Sequence, residues 1–253
     1  MIDLHSISSL PIQYDPQKEV FVLNQGVICK KHQQVNLEGL IPALLNRTLR
    51  YPEVVYKEDE EIFLCDDSDI FAANPVKYEL IVLPPGLLGI EFIKSHIYYS
   101  DPSDGKHSCV VECQYGILTI LIQKNKEKDE FDFDTSIKEG ILIKLRKGEK
   151  VAIPTGYYYT FINTKDTAVI FSRIFKAKGI VNYDKLGREK GLGYFAIRKN
   201  ARAEVVFNPR YKNVPRLSKK LPSCEEYKTE YNDMPLYQAV KKHIDYFIDI
   251  LQN

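Results

Sequence analysis

The chain has 253 residues, long for one hydrophobic core and short for two large ones. Its 35 lysines and arginines are nearly balanced by 34 aspartates and glutamates, which leaves no global positive field to hold nucleic acid or an anionic membrane. Five scattered cysteines form no disulfide framework, and no segment approaches the roughly 20 apolar residues of a membrane-spanning helix. Since the first residues also lack a secretory pattern, we expect a cytoplasmic protein.

Residues 1–74 are predicted to form an extension that packs on the main domain. A helix is expected from Asn36 to Leu49, with Asn36 as the N-cap, leucines at helical spacing and Pro42 in the first turns. Two mixed charge runs, KEDEE at 57–61 and KNKEKDE at 124–130, are interpreted as solvated loop tips.

Residues 75–211 read as a series of short strands. Runs rich in β-branched and aromatic residues are separated by glycine, proline, aspartate and asparagine, and no long helical pattern intervenes. This pattern favours a closed barrel or a sandwich. The predicted strands are 78–83, 89–99, 108–116, 117–123, 141–148, 151–154, 157–163, 168–175 and 193–198.

Residues 212–253 are predicted to be a C-terminal extension. The segment 208–224 reads as an extended surface connection, and a helix is expected from about Pro235, capped by Asn232 or Asp233. The helix would carry one apolar stripe, which either packs on the barrel or forms a dimer contact, and we expect a homodimer. The stripe consists of Leu236, Val240, Ile244, Phe247, Ile248 and Leu251.

Two segments carry specific turn chemistry. Residues 148–163 follow the pattern G-x(5)-P-x-G-x(6)-N, which resembles the second signature motif of the cupin barrels. The resemblance places a metal-binding histidine at the position of Tyr159, whereas the asparagine of the motif is kept as Asn163. The run SCVVECQYG at 108–116 resembles the closing half of the first motif, with Cys109 at the position of its glutamate ligand.

Further blocks extend the resemblance over about residues 14 to 211, and the chain is similar to the archaeal-type cupin glucose-6-phosphate isomerases. The resemblance implies a mainly β fold: a cupin-type (double-stranded β-helix) antiparallel barrel with an N-terminal helix-containing segment and a C-terminal helix. The blocks are YPEVVY (51–56), LPPGLLGIEF (83–92), IPTGYYYTFIN (153–163) and GREKGLGYFAIRKNARAEVVFNPRY (187–211).

The same resemblance implies a metal site with two histidines after the Glu91-Phe92 pair, one glutamate, and one histidine from the second motif. An ungapped alignment puts Tyr98 and Ser100 at the first two histidines, and a two-residue slip puts His96 and Tyr98 there. At most one of the four ligands is then kept. Tyrosine, serine and a neutral thiol bind divalent ions poorly because ligands must be deprotonated, so we predict no metal cofactor.

The remaining side chains at the barrel mouth are candidates for a ligand pocket. One interpretation is a small-molecule site in which tyrosine rings lie against a sugar, with Lys94, Arg146 and Lys147 as phosphate contacts. The other is an interior filled by packed aromatic side chains. The pocket candidates are Ser95, His96, Tyr98, Ser100, Cys109, Tyr157 and Tyr159.

The sequence therefore predicts a glucose-6-phosphate isomerase-like cupin that is non-catalytic or altered and binds a sugar phosphate or a similar small molecule. Two alternatives stay open: an active sugar-phosphate isomerase with an unusual site, and a structural or interaction protein without ligand. No catalytic residue is assigned, and the replaced ligands favour a protein that is not an enzyme. Neither nucleic acid nor membrane is expected as a partner.

Overall fold

The computed structural model describes residues 1–126 and 136–251, so most of the 124–130 charge run lies outside the described residues. The described helices are α1 (His5–Ser8), α2 (Leu37–Leu40), α3 (Ser68–Ala73), α4 (Tyr183–Leu186), α5 (Leu236–Lys242) and α6 (Ile244–Leu251). The described strands are β1 (Ile2–Asp3), β2 (Ile12–Asp15), β3 (Val20–Leu23), β4 (Val27–Asn36), β5 (Val54–Leu64), β6 (Lys77–Leu83), β7 (Leu87–Leu88), β8 (Glu91–Phe92), β9 (Tyr98–Tyr99), β10 (His107–Tyr115), β11 (Ile117–Asn125), β12 (Ile137–Arg146), β13 (Lys150–Pro154), β14 (Tyr158–Ile162), β15 (Val169–Phe175), β16 (Tyr194–Lys199), β17 (Arg202–Phe207) and β18 (Ser218–Lys220).

Two antiparallel sheets face each other and form the barrel. In sheet one the barrel strands are ordered β13-β10-β15-β6, and in sheet two they are ordered β12-β11-β14-β9. These eight strands follow the jelly-roll order: successive strands cross between the two sheets in Greek-key fashion, except for β11 and β12, which are neighbours in sheet two. The predicted cupin-type antiparallel barrel is therefore confirmed. Sheet two gains β18, which runs parallel to β12.

The N-terminal part of the chain extends sheet one, because β5 pairs with β6 and β4 pairs with β5. The 57–61 charge run lies inside β5, and the prediction of a solvated loop tip there is wrong. Glu58 and Glu60 are buried, and both pair with the ammonium group of Lys178. A charged partner from a distant loop makes this burial possible, and the sequence run itself does not reveal it. The division at residues 74/75 and 211/212 stays a prediction.

The helix predicted from Asn36 to Leu49 is much shorter. Asn36 does precede α2, without a side-chain capping bond, and a single 3₁₀ turn continues the helix to Ala43. The chain is extended at Leu44, and the backbone N–H of Leu45 donates to the buried carboxylate of Glu91 at 2.6 Å. This tertiary contact overrides the local helical pattern.

The strand predicted over 89–99 is two separate short strands. β8 belongs to sheet three (β17-β16-β8-β7), and β9 lies at the edge of sheet two. Between them the chain crosses from one sheet to the other, held by the backbone N–H of Ser95, which donates to the carbonyl of Phe161 at 2.9 Å. The crossing places Tyr98 in the barrel.

The C-terminal helix is broken into α5 and α6 at His243, and Pro235 rather than Asn232 or Asp233 is the N-cap of α5. Its stripe packs within the chain, against the outer face of sheet one. Four stripe residues are buried in the same cluster as Leu80 on β6: Leu236, Val240, Phe247 and Leu251. In residues 1–126 and 136–251, no helix has the length and apolar character needed to cross a membrane.

Three hydrophobic clusters result from this arrangement. One fills the barrel between sheets one and two. A second lies outside sheet one, under the N-terminal strands and the C-terminal helices. The third lies between sheet two and sheet three. Each residue of β9 and β14 therefore faces either the barrel interior or the third cluster, because side chains alternate along a strand.

Candidate functional site

Three of the predicted pocket residues meet in the barrel interior. The rings of Tyr98 and Tyr159 are stacked with centroids 5.4 Å apart, and the thiol of Cys109 donates to the hydroxyl oxygen of Tyr159 at 3.3 Å. All three side chains are buried. They come from β9, β10 and β14, so the fold brings together three of the four positions at which the resemblance places metal ligands.

The two predicted serines lie apart from this group. The buried hydroxyl of Ser95 accepts the backbone N–H of Phe161 at 3.0 Å, which holds the crossing between the sheets. Ser100 lies at the rim, where its carbonyl accepts the backbone N–H of Gly156 at 2.8 Å. Both serines thus contact backbone rather than the interior tyrosines.

His96 and Tyr157 also have partners of their own. His96 Nδ1 lies 3.2 Å from the Tyr183 hydroxyl. Burial and, to a smaller extent, the positive charge of Lys178 lower the pKa of His96 to about 4, so the imidazole is neutral at pH 7. The Tyr157 hydroxyl donates to Glu139 Oε2 at 3.2 Å, on the partly exposed side of the barrel.

A buried ion pair that the sequence patterns did not predict lies at the centre of the barrel. Arg173 of β15 and Glu79 of β6 are direct cross-strand partners, with 2.6 Å between Nε and Oε1, and neither side chain is exposed. The guanidinium carbon lies 4.2 Å from the ring centroid of Tyr98 and 4.5 Å from that of Phe175, within cation–π range. The sequence contained a signal on β15, where Arg173 is the one charged residue among the inward positions Val169, Phe171, Arg173 and Phe175.

More charges surround this pair. Burial raises the pKa of Glu79 to about 7, although the positive charge of Arg173 acts in the opposite direction. Within residues 1–126 and 136–251, Nη1 and Nη2 of Arg173 have no hydrogen-bond partner. Lys178 pairs with Glu58 and Glu60 nearby. The cationic side chains of Arg173 and Lys178 thus lie beside the buried carboxylates.

The residues present do not fit the metal that the resemblance implies. Burial raises the pKa of Cys109 to about 11 and keeps the pKa values of Tyr98 and Tyr159 well above their ordinary range. All three are therefore protonated at neutral pH, whereas metal ligands must be deprotonated. The guanidinium of Arg173 among them would also repel a divalent cation.

A groove lies on the opposite face of the same two strands. The rings of Tyr99 and Tyr158 are stacked with centroids 4.6 Å apart and an interplanar angle of 27°. They line a cavity of about 390 Å³, a size typical of small-molecule sites. None of the predicted pocket residues lines it. Tyr98 and Tyr159, the neighbours of Tyr99 and Tyr158, point inward because side chains alternate along a strand. The other lining residues are Gly179, Ile180, Val181, Asn182, Asp184 and Leu186.

The loop after β15 supplies the polar rim of this groove. Asn182 donates through Nδ2 to Asp184 Oδ2 at 2.8 Å, and both side chains are exposed. Gly179 has a φ of 64°, and a Cβ there would lie 2.6 Å from the carbonyl oxygen of Tyr99. The loop can approach β9 this closely only with glycine at that position.

The predicted phosphate contacts lie elsewhere. Lys94 is buried, where its ammonium pairs with Glu91 at 2.7 Å and donates to the carbonyl of Ala43. Arg146 and Lys147 are exposed at the end of β12 and do not line the groove. Among the described residues that line the groove, there is one carboxylate and no lysine or arginine.

Solved structures show only distant likenesses. An oxalate oxidase is 14% identical, with 42% of this chain and 44% of that chain covered and a TM-score of 0.30. The CENP-C cupin domain of Drosophila melanogaster is 13% identical, with 47% of this chain and 67% of that chain covered and a TM-score of 0.31. Likenesses of this size carry no weight for function.

Sequence relatives are more informative. A glucose-6-phosphate isomerase of Thermococcus kodakarensis is 27% identical over 198 residues, which cover 70% of this chain and 94% of that protein. One of Pyrococcus horikoshii is 25% identical over 164 residues, which cover 64% and 78%. The family model described as glucose-6-phosphate isomerase (GPI) matches residues 39–215, well over half of the chain. The chain therefore belongs to the glucose-6-phosphate isomerase (GPI) family.

Proposed function

We propose that this chain binds a sugar or a sugar phosphate without isomerising it. The observation that carries the proposal is the guanidinium of Arg173, which lies among Tyr98, Cys109 and Tyr159. Isomerisation of an aldose to a ketose moves a proton between C1 and C2 and needs a group that holds the enediolate charge. In this barrel the positions of the implied metal ligands carry protonated groups around a protein cation, and the cation is already paired with Glu79.

The groove on the other face supports the binding half of the proposal. Aromatic faces suit the apolar side of a sugar ring, and Asn182 and Asp184 offer acceptors and donors for its hydroxyls. Because the described lining has no cation, the ring rather than a phosphate would supply most of the affinity. A phosphate would project from the groove into solvent.

Calorimetric titration tests this proposal with four probes: glucose, fructose and their 6-phosphates. We expect saturable binding of at least one probe, and we expect Tyr158→Ala to abolish it. Tyr157→Ala is the matched control, since Tyr157 is also half-buried but does not line the groove. Absence of heat and of any thermal shift at millimolar concentrations of all four probes would contradict the proposal.

A second candidate is a metal-independent isomerase, and one specific observation favours it. Burial raises the pKa of Glu79 above its ordinary range, toward that of a general base, and the carboxyl group adjoins a cation that could hold enediolate charge. Its full burial and its bond to Arg173 weigh against this role. Turnover of fructose 6-phosphate that is lost in Glu79→Gln would favour this candidate over binding alone.

We also propose a cytoplasmic homodimer. All five cysteines lie in the described residues and are free thiols, which suits a reducing compartment. The stripe of α5 and α6 is used within the chain, so the dimer contact would lie elsewhere. Sedimentation velocity tests the assembly: a species of twice the chain mass supports it, and a monomer at tens of micromolar contradicts it.

A further inference from the structure

A second set of metal-binding side chains lies outside the barrel, on the β4–β5 hairpin. His32 Nδ1 is 2.9 Å from Asp59 Oδ1, and Cys29 Sγ is 3.8 Å from the same nitrogen. One donor atom from each residue lies within 4.8 Å of the other two. The three residues carry a thiol, an imidazole and a carboxylate, which are the ligand types that zinc prefers.

The local backbone brings these side chains to one face. His32 and Asp59 are direct cross-strand partners, whereas Cys29 pairs with Ile62, three positions further along. A regular strand would point Cys29 and His32 to opposite faces. On the facing strand β5, Glu61 has a φ of 55°, an unusual conformation for a residue other than glycine. Cys29 nevertheless lies with the other two, since its Sγ is 3.8 Å from His32 Nδ1.

The spacing fits a tetrahedral ion. Zinc bonds of about 2.0 to 2.3 Å place neighbouring donor atoms roughly 3.3 to 3.6 Å apart. The two distances from His32 Nδ1, 2.9 Å to Asp59 and 3.8 Å to Cys29, fall on either side of this range, and the third pair, Cys29 with Asp59, lies within 4.8 Å. The His32 side chain is 66% exposed, which leaves a fourth position open to solvent.

Neighbouring charges also suit a cation. The ammonium groups of Lys30 and Lys31 are paired with Glu61 and Glu60, at 3.1 and 3.6 Å. They are thus directed to other carboxylates and do not neutralise Asp59. Burial and the charge of Asp59 raise the pKa of Cys29 to about 11, so the thiol must release its proton as the ion binds. Unlike Cys109, Cys29 has no guanidinium beside it that would repel the ion, and its thiolate and the Asp59 carboxylate would then supply two negative charges.

A buried carboxylate set in the barrel is different. Glu58, Glu60 and Glu79 also lie within 4.8 Å of one another. However, Lys178 pairs with the first two and Arg173 pairs with the third, so cationic side chains already take the place of an ion. Of these two sets, both found in residues 1–126 and 136–251, the hairpin set is the one that combines soft and hard ligands without such a cation.

We propose that Cys29, His32 and Asp59 bind a zinc-class divalent metal, with solvent as the fourth ligand. Thiolate and imidazole select such metals over magnesium and calcium, which prefer oxygen ligands. The site is separate from the barrel and from the groove. Its presence is therefore independent of sugar binding.

Titration of metal-free protein with Co²⁺, a spectroscopic substitute for Zn²⁺, tests the site. We expect one ion per chain, with a thiolate-to-cobalt charge-transfer band that Zn²⁺ abolishes by competition. Cys29→Ser should lose the band, and Asp59→Asn should weaken binding by at least about 100-fold, the upper end of what even outer-shell partners contribute. Cys65→Ser and His5→Gln change an exposed cysteine and an exposed histidine elsewhere and should behave as the unaltered chain.

Circular dichroism and thermal melting of each variant separate lost binding from lost folding. A folded Cys29→Ser chain that keeps the band and the stoichiometry would overturn the proposal, and so would an unaltered chain that binds no Co²⁺ at micromolar concentration. Sugar titration of the same Cys29→Ser chain should be unchanged. Failure of the metal site and failure of the sugar site are thus distinguishable.

Discussion

The two faces of β9 and β14 differ more than their sequences suggest. On the inward face, Tyr98 and Tyr159 pack around a buried guanidinium and leave no exposed surface. On the outward face, Tyr99 and Tyr158 line an open groove of about 390 Å³. Residues one position apart therefore have different surroundings: the inward ones pack in the barrel, and the outward ones line the groove that we propose as the sugar site. The family's signature positions lie on the inward face.

The largest expected effect on stability comes from a substitution on the inward face. Arg173→Ala leaves Glu79 buried without its partner, and we expect the free energy of unfolding to fall by about 3–5 kcal/mol. Urea unfolding at pH 7.5 measures it. Arg198→Ala is the matched control, since it breaks an exposed ion pair with Asp166 and should cost at most about 1 kcal/mol.

A double substitution sharpens this test. Replacement of both charged residues, Glu79→Leu with Arg173→Leu, removes the uncompensated charge and should restore stability relative to either single change. If Arg173→Ala cost no more than Arg198→Ala, the guanidinium would not hold the inward face together.

The next effect concerns His96, at the mouth of the barrel. The pKa of His96 is about 4 in the folded chain and 6.5 in the unfolded chain. Its contribution to the free energy of unfolding is therefore complete above pH 6.5 and is lost as the pH falls toward 4. We expect the free energy of unfolding to fall by about 1–2 kcal/mol between pH 7 and pH 4. The fall should be smaller in His96→Gln, because that folded chain no longer keeps an imidazole neutral. Urea midpoints between pH 7 and pH 4 measure the slope. The same slope in both chains would show that His96 is not responsible.

The substitution with the smallest expected effect on stability distinguishes the inward face from the groove. Tyr159→Phe removes the acceptor of the Cys109 thiol and should lower the free energy of unfolding by about 1 kcal/mol. Sugar affinity should not change, because Tyr159 does not face the groove. A Tyr159→Phe chain that lost sugar binding would place the ligand in the barrel interior instead.

The barrel was predictable because its turns have specific chemistry. Gly148 and Gly156 have φ values of 84° and 77°, which glycine adopts without strain. Asn163 ties two loops together, since its Nδ2 donates to the carbonyls of Leu83 and Thr167. These residues fixed the register of the motif and hence the inward positions of Tyr98, Cys109 and Tyr159.

Other features depend on contacts that local patterns do not contain. The Arg173–Glu79 pair joins residues 94 positions apart, and it requires the register of β15 on β6. The groove requires the loop at Gly179 to press on β9. The expected helix after Asn36 ended early because Leu45 bonds to Glu91, which is distant in the chain. In each case the deciding partner comes from another part of the sequence.

The most direct test of the central claim is an isomerase assay on the Cys29→Ser chain, in which the hairpin site cannot supply metal. Fructose 6-phosphate is added with and without divalent metals, and the metal content of the chain is measured in parallel. If Arg173 takes the place of the metal, we expect no stoichiometric metal and no turnover above the rate without protein. One metal per chain together with metal-dependent turnover would contradict the account.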